Sequence, residues 1–452
     1  MLEEITKFAD AFLNETKNKK IQLIGHFDTD GITSAAIITK TLERLGKTFT
    51  TKIIKQLSEE EIKSLPKDKV IIFVDLGSGS IEKLMELKNP IFVIDHHEIK
   101  INGILKNNFY IINPHIFEEN HDLCSSELAY LFSKQISDEN KDLAHLAILG
   151  MVGDTMEKEI NKIRNRIIKE AEVRIKKGLL IYPSTRPLDK ALEYSSRPFI
   201  PGITGEKNNV LDLLKEAGIE KVGKTYKALI DLSNEEMKNL VTALMLRLPE
   251  KETSKHIGNL FLIKFFNKIE DARELSAMIN ACSRMDKPEI ALLVCLGNNY
   301  ARKSAEKIYV KYRQHLISGL KYVETNKKIE GREYVIINAK DKIKYTIIGT
   351  IASILSFSSV YKDGTIIITM AQNEDYIKVS ARISGKNKKS DRNLKELLDY
   401  ITQSLGRGES GGHKYAAGCT IKIEDEQRFI ELIKKKLEYE MIKVWKKTIN
   451  VF

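Results

Sequence analysis

Aspartate and histidine recur in four short clusters in the first third of the chain, and these residue types hold metal ions and move protons. His26-Phe27-Asp28-Thr29-Asp30-Gly31 follows an apolar run at Ile21–Gly25, Asp75 closes the run Val70–Val74, and Asp95-His96-His97 closes Ile91–Ile94. The fourth cluster, Gly153-Asp154, follows a helical apolar stretch, Leu143–Val152. Brought together, so many carboxylates cannot be buried bare, because like charges repel and desolvation of each is costly. Divalent cations remove the difficulty, and carboxylate-plus-imidazole ligation without thiolate suits Mn²⁺ or Mg²⁺ better than a structural Zn²⁺. Two such ions about 3.5–4 Å apart, bridged by one carboxylate, would clamp an attacking water and a phosphate oxygen. Each cluster alone has a plainer reading, since a DxD is commonly a loop or helix cap and a strand-end Asp often caps the next helix. Their joint occurrence, in order and at the ends of apolar segments, points to a metal centre.

The elements that must position them follow from the alternation of patterns. Apolar runs at Ile21–Gly25, Lys52–Gln56, Val70–Asp75 and Ile91–Asp95 alternate with helical stretches at Thr33–Leu45, Glu59–Leu65 and Ile81–Leu87. This predicts an α/β fold with a parallel sheet covered by helices. Ligands of such sheets bind off the carboxyl ends of the strands, the edge on which the first three clusters must converge. Further along, the patterns predict a charged helix over Met156–Ile181, a proline-rich crossing loop over 183–206 and a helical module over 208–275. Asn280–Leu296 leads into a long basic helix, Asn298–Lys327. A second strand-rich unit spans 333–423, with runs at Tyr334–Asn338, Gly364–Ala371 and Tyr376–Ile383, before a terminal helix over Glu424–Lys447.

At 452 residues the chain exceeds one ordinary domain. Its 42% hydrophobic and 30% charged residues describe a soluble globular protein. No apolar stretch approaches the roughly 18 residues of a membrane span. Met1–Asp10 carries three acids and no signal-peptide pattern, so a cytoplasmic location without a membrane partner is expected. Cys124, Cys282, Cys295 and Cys419 form no CxxC pair, which argues for reduced thiols. The excess of 73 Lys+Arg over 62 Asp+Glu, a net charge of +11, favours polyanionic partners, although a Lys-rich, thermophile-like composition would give the same balance. Gly77-Ser78-Gly79 imitates the start of a dinucleotide fingerprint, but Glu82 takes the place of its third glycine, and no GxxxxGK[ST] occurs.

Taken in order, HFDTDG, the strand-terminal Asp75, DHH at Asp95–His97 and Gly153-Asp154 resemble the four successive motifs of the DHH phosphoesterase superfamily. The resemblance implies two divalent ions, Mn²⁺ by preference with Mg²⁺ as the alternative. It implies that Asp28 and Asp30 hold one ion each, that Asp75 bridges them, and that His96 and Asp154 complete the second position. His26 would join the first position, where some relatives have Asp. His97 would orient water or contact the scissile phosphate, and Asp95 would fix the histidine pair. Gly411-Gly412-His413-Lys414-Tyr415-Ala416-Ala417-Gly418 is similar to the GGGHxxAAG signature of the DHH-associated domain, with Ser410 in place of the first Gly. Ser380-Ala381-Arg382 resembles the basic strand of that domain. Gly411, Gly412, His413 and Arg382 would then contact phosphate. Asn280-Ala281-Cys282-Ser283-Arg284 is similar to the INAxGR segment of RecJ exonucleases, making Arg284 a candidate phosphate or base contact. Arg186 to Gly205, with PFIPGITG, resembles archaeal RecJ-like proteins, including the nuclease that associates with the replication factor GINS.

The resemblance divides the chain into a DHH catalytic domain (1–182), a crossing loop and helical insertion (183–297), a basic linker helix (298–330) and a smaller α/β DHH-associated domain with a terminal helix (331–452), which closes over the metals. Between Ala301 and Lys328 the helix carries eight basic residues (Arg302, Lys303, Lys307, Lys311, Arg313, Lys321, Lys327, Lys328) with Tyr309, Tyr312 and Tyr322 interleaved. That pattern could track a single strand by phosphate contacts and base stacking, and a solvated linker with packed tyrosines would show the same spacing. The expected function is a metal-dependent, single-strand-specific exonuclease releasing mononucleotides from DNA or RNA. Likeness to RecJ leans to 5′→3′ on DNA and leaves 3′→5′ on RNA open. The alternatives are a phosphodiesterase of short oligonucleotides or cyclic dinucleotides, and a replication scaffold with little activity.

Overall fold

Apart from residues 100–103, 118–121, 182, 196–199, 201, 248–256, 359, 386–391 and 450–452, the computed structural model describes the whole chain. After helix α1 (Leu2–Glu15), the first apolar run is strand β1 (Ile21–His26), followed by α2 (Thr29–Arg44) and β2 (Phe49–Ile54). Then come α3 (Glu59–Lys63), β3 (Val70–Val74), α4 (Ile81–Met85), β4 (Ile91–Ile94) and β5 (Phe109–Ile112). The five strands form one parallel sheet in the order β2-β1-β3-β4-β5. β3 and β4 are buried along their whole length, as strands of a sheet covered on both faces must be, and so they read as unbroken apolar runs. β2 starts at Phe49, before the expected Lys52, because it is an edge strand whose half-polar start carries no apolar run. α5 (Ser125–Ile136) and α6 (Ala144–Gly153) pack with α2. Phe8 and Phe12 of α1 meet Phe92 and Phe132 edge-on at 5.2 to 5.4 Å, an arrangement the ring quadrupoles favour.

The middle of the chain departs from expectation twice. Met156–Ile181 is not one helix: α7 (Lys162–Glu170) ends, Glu172 takes a left-handed φ of 52°, and β6 (Arg174–Leu179) follows. No Gly or Pro marks that turn, so a run of charged residues reads as continuous helix. Residues 208–275 are not a purely helical module either. α8 (Leu188–Glu193) and α9 (Lys207–Glu216) precede a hairpin of β7 (Lys221–Val222) and β8 (Thr225–Tyr226). α10 (Asn234–Met245) is then followed by a second hairpin, β9 (Ile257–Phe265) and β10 (Lys268–Asp271), which joins β6 in a three-stranded sheet. Its turn residues Phe266 and Asn267 both have positive φ, 47° and 59°, a type I′ geometry without the usual Asn-Gly signal. Pro198, Phe199 and Pro201 of the PFIPGITG segment lie outside the described residues.

Three helices follow, α11 (Ala272–Arg284), α12 (Pro288–Cys295) and the long α13 (Asn299–Thr325). The remainder holds β11 (Ile329–Gly331), β12 (Tyr334–Asn338), α14 (Tyr345–Phe357), β13 (Ile366–Asn373) and β14 (Tyr376–Ile383). It closes with α15 (Leu394–Leu405), β15 (Glu409–His413), β16 (Ala416–Lys422) and α16 (Glu426–Ile449). Its six strands run β11-β12-β13-β14-β16-β15, parallel between β12 and β13 and antiparallel elsewhere. The chain forms two compact units: Met1–Arg186 with Ala228–Asp231 and Gly258–Val310, and Pro187–Lys227 with Leu232–Ile257 and Lys311–Phe452. The second is built on its own core, with Ile336, Ile368, Val379, Leu398 and Phe429 at its centre.

Helix α13 corrects one expectation. Tyr309 and Tyr312 are buried, and Tyr312 contacts Thr350 through its hydroxyl, so neither ring is a platform for bases. Arg302 is tied to Glu270 and Glu306, and Arg313 donates to the carbonyl of Tyr194. Lys303, Lys307, Lys311 and Lys321 stay exposed, leaving lysines to carry the helix's positive face.

Candidate metal centre

The first cluster is shaped by the passage from β1 into α2. Asp28 is the N-cap of α2 and accepts from the Gly31 N–H at 3.0 Å. Gly31 tolerates no side chain, since a Cβ there would lie 2.4 Å from the His26 carbonyl oxygen. Asp30, in the first turn of α2, is fully buried and turns toward α5. Its two carboxylate oxygens accept from the Ser125 N–H at 2.8 Å and the Ser126 N–H at 2.9 Å, the free donors of that helix's N-terminus. Gly150 of α6 makes room for this contact: a Cβ would stand 2.6 Å from Asp30 Oδ1 and 2.0 Å from Ser126 Oγ.

Asp75 follows β3 with φ of 60°, a left-handed conformation uncommon for a residue with a side chain, and its N–H donates to the Ile94 carbonyl at 2.9 Å. Its Oδ1 accepts from Ser125 Oγ at 3.0 Å, and its Oδ2 lies 3.1 Å from His26 Nδ1. The same His26 nitrogen is 3.1 Å from Asp28 Oδ2. His96 Nε2 reaches Asp154 Oδ2 at 3.1 Å, Asp75 Oδ1 at 3.5 Å and Asp30 Oδ2 at 4.0 Å. His97 Nδ1 is held by Asp95 Oδ1 at 2.7 Å. Asp95 also accepts from the backbone N–H groups of Ser78, His96 and His97. All seven clustered residues named as ligands or catalytic groups therefore meet at one sheet edge, together with Asp154 from the end of α6. Three sets of ligand atoms lie within 4.8 Å of one another: His26, Asp28 and Asp75; Asp30, His96 and Asp154; and Asp75, His96 and His97.

Five carboxylates and three imidazoles share this volume, so negative charge is in excess. Burial, and then the charges of Asp28, Asp30, Asp154 and Asp95, push the Asp75 carboxyl well above the usual carboxylate range. Burial and Asp30 push Asp154 up to about 6. For His96, burial opposes protonation, but the bond to Asp154 and the charge of Asp30 outweigh it and raise its pKa to about 9. Burial likewise opposes the charge on Asp95, yet the His97 bond and the Ser78 N–H hold it below the usual range. Oxygen and imidazole donors with surplus negative charge fit divalent Mn²⁺ or Mg²⁺. Buried Cys124 nearby has its thiol pushed up by burial and by Asp30, so it adds no thiolate.

Among the remaining sequence candidates, Arg284 ends α11 with its guanidinium 5.9 Å over the Phe27 ring, beside the first cluster. Arg382 lies on β14 in the second unit, where Nε donates to Ser353 Oγ at 3.1 Å and Nη1 to the Ala381 carbonyl at 2.8 Å. Gly411, Gly412 and His413 lie in β15, which forms a hairpin with β16. Gly412 has φ of 124° and its Cβ would meet the Ala416 carbonyl at 2.5 Å, so the hairpin itself demands glycine there. Gly411 is exposed with nothing within 4 Å of a Cβ. Sequence reasoning passed over Ser125, Ser126, Glu127, Arg164 and Ser78. The Cys124-Ser125-Ser126-Glu127 start of α5 carries a helix-capping signal, but nothing local says that its N–H groups face Asp30.

Three family profiles match the chain: the DHH family, N-terminal domain, over residues 20–151, the DHH-CID domain over 181–260 and the DHHA1 domain over 332–438. An uncharacterized protein of Methanocaldococcus jannaschii is 29% identical over 448 residues, which cover 96% of this chain and 97% of that protein. Among solved structures, exonuclease RecJ bound to manganese gives a TM-score of 0.60 at 16% identity, over 96% of this chain and 94% of that one. RecJ of Thermus thermophilus in complex with Mn²⁺ gives 0.59 at 16% identity over 96% of this chain, which spans 54% of the Thermus chain. CDC45 from Entamoeba histolytica gives 0.70 at 13% identity, over 96% of this chain and 98% of that one. At these identities the likeness is one of fold.

Proposed function

We propose that this chain, which belongs to the DHH superfamily and has a RecJ-like fold, is a metal-dependent exonuclease that hydrolyses single-stranded DNA or RNA to mononucleotides. The observation that carries the reading is Asp75, buried at the meeting point of ligand sets that reach both His26–Asp28 and His96. In this reading His26, Asp28 and Asp75 hold one divalent ion, and Asp30, His96 and Asp154, with Asp75 between, hold the other. When bound, the ions supply Lewis-acid polarisation of a phosphate oxygen and a more acidic water. Asp95 orients His97, whose side chain remains 43% exposed and would contact the scissile phosphate or hold the water. Arg284, Arg382, Gly411, Gly412 and His413 are the proposed phosphate or base contacts. The proposed partners are single-stranded nucleic acid and, from the likeness of the sequence motifs to archaeal RecJ-like proteins, the replication factor GINS.

The test uses DNA and RNA strands labelled at either end, incubated with Mn²⁺. Release of mononucleotides from one labelled end of a long strand, stopped by chelator, is the expected result. Cleavage of dinucleotides with long strands left intact would instead favour a short-oligonucleotide phosphodiesterase. Burial of Tyr309 and Tyr312, which removes two expected stacking platforms, is the observation on that side.

Ion uptake should also release protons. A ligating imidazole must be neutral, whereas His96, with its pKa at about 9, is protonated in the metal-free protein at pH 7. Mn²⁺ affinity should therefore rise with pH toward about 9. Titration calorimetry at pH 7 in buffers of different ionisation enthalpy should show about one or more protons released per chain. Heats independent of the buffer would remove His96 from the ligand set.

A further inference from the structure

We propose that Ser125 is a positioning residue of the metal centre: its hydroxyl holds the Asp75 carboxylate, and the first helical turn that carries it is locked by a buried ion pair. The inference rests on the metal-dependent reading above and adds to it a residue with no ligand role of its own. Ser125 is fully buried and touches both carboxylates that the two ions would share out. Its Oγ donates to Asp75 Oδ1 at 3.0 Å and its N–H to Asp30 Oδ2 at 2.8 Å. The other polar neighbours of the Asp75 carboxylate, His26 Nδ1 and His96 Nε2, are proposed ligands and would turn to an ion. Ser125 cannot, so its bond is the one that persists in both states. Asp75 needs such a hold, because its φ of 60° is kept only by surrounding contacts.

The turn itself cannot drift. Glu127, third residue of α5, accepts from the Cys124 N–H at 3.0 Å and from Arg164 Nε and Nη2 at 2.8 Å each. Both side chains of this pair are fully buried. Arg164 also donates to the carbonyls of Met156, Glu159 and Asp122, which ties α5 to the segment just after Asp154. The N-terminal partial positive charge of α5 adds attraction for Asp30. One rigid turn thus sets the separation of the Asp30 and Asp75 oxygens before any ion arrives.

The experiment titrates Mn²⁺ into the full chain, stripped of metal, by calorimetry, comparing wild type, Ser125→Ala and Ser133→Ala. Ser133 is buried two turns along the same helix, and its hydroxyl has no hydrogen-bond partner, so it reports packing alone. Ser125→Ala should weaken at least one binding step by roughly 10–100-fold, the usual effect of removing a group that orients a ligand. Ser133→Ala should bind as wild type does. The Mn²⁺ needed for half-maximal hydrolysis should rise in step for Ser125→Ala, with the rate at saturating Mn²⁺ within several-fold of wild type. Wild-type affinity in Ser125→Ala, or an equal loss in Ser133→Ala, would overturn the positioning role while leaving the metal centre standing. Absence of Mn²⁺ binding by the wild type would overturn both.

Discussion

Asp75→Asn is expected to slow phosphodiester hydrolysis by more than about a thousandfold, because the charge stabilisation lost with a bridging ligand amounts to several kcal/mol and each decade of rate costs about 1.4 kcal/mol. Asn keeps the shape and removes the charge, so the fold should survive. The metal-free variant should in fact be the more stable protein at alkaline pH. Burial and four neighbouring carboxylates raise the Asp75 carboxyl well above its ordinary value. A carboxyl raised in the folded state contributes stability that is fully present below its unfolded pKa, near 3.8, and that is lost as pH rises toward its folded value. Asn does not titrate and loses nothing over that window. Unfolding of the two metal-free proteins should therefore diverge as pH rises above the unfolded value near 3.8, by at most about 1.4 kcal/mol per pH unit from this group. A variant that kept a tenth of the wild-type rate at saturating Mn²⁺ would falsify the bridging assignment. Parallel stability curves would show that Asp75 is already charged and neutralised in the metal-free protein.

Arg164→Met should lower the stability of the first unit by about 3–5 kcal/mol, the range for stranding one member of a buried ion pair. The guanidinium satisfies Glu127 and three carbonyls at once, and both side chains are fully buried. For a unit of this size the melting temperature should fall on the order of 10 °C. Replacing both partners, Arg164→Met with Glu127→Leu, should cost less than Arg164→Met alone, because no bare carboxylate is then left inside. Urea unfolding followed by circular dichroism, without metal, measures all three. A loss below about 1 kcal/mol in the single variant would mean that Glu127 finds water or a proton, and that the pair is not the anchor of α5. Mn²⁺ affinity should fall with stability in the single variant, since the loosened turn carries the donors to Asp30 and Asp75.

What could be read locally was what solvent transfer and short-range geometry write locally. The inner strands β3 and β4 are continuous apolar runs because both faces are covered, and the acidic clusters stand at their ends because parallel strands deliver their carboxyl ends to one edge. From that alone the residues that meet at this edge could be named, together with the expectation of hard divalent ions. Pairing within the centre was decided by the tertiary structure. Asp30 and Ser125 lie 95 residues apart, and no spacing rule links a first-turn aspartate of one helix to the free N–H groups of another. The same limit explains the tyrosines of α13: helical spacing places Tyr309 and Tyr312 on a stripe, but which side of the stripe meets a core depends on neighbours distant in sequence. It explains β6, β9 and β15 as well, where left-handed Glu172 and the Phe266-Asn267 turn redirect the chain, and Gly412 sits in strand, through backbone conformations that only the assembled sheets make favourable. Composition and order named the candidate residues; long-range packing chose which carboxylate faces which donor, because a hydrogen bond's partner is selected by where the chain returns in space and not by what stands beside it in sequence.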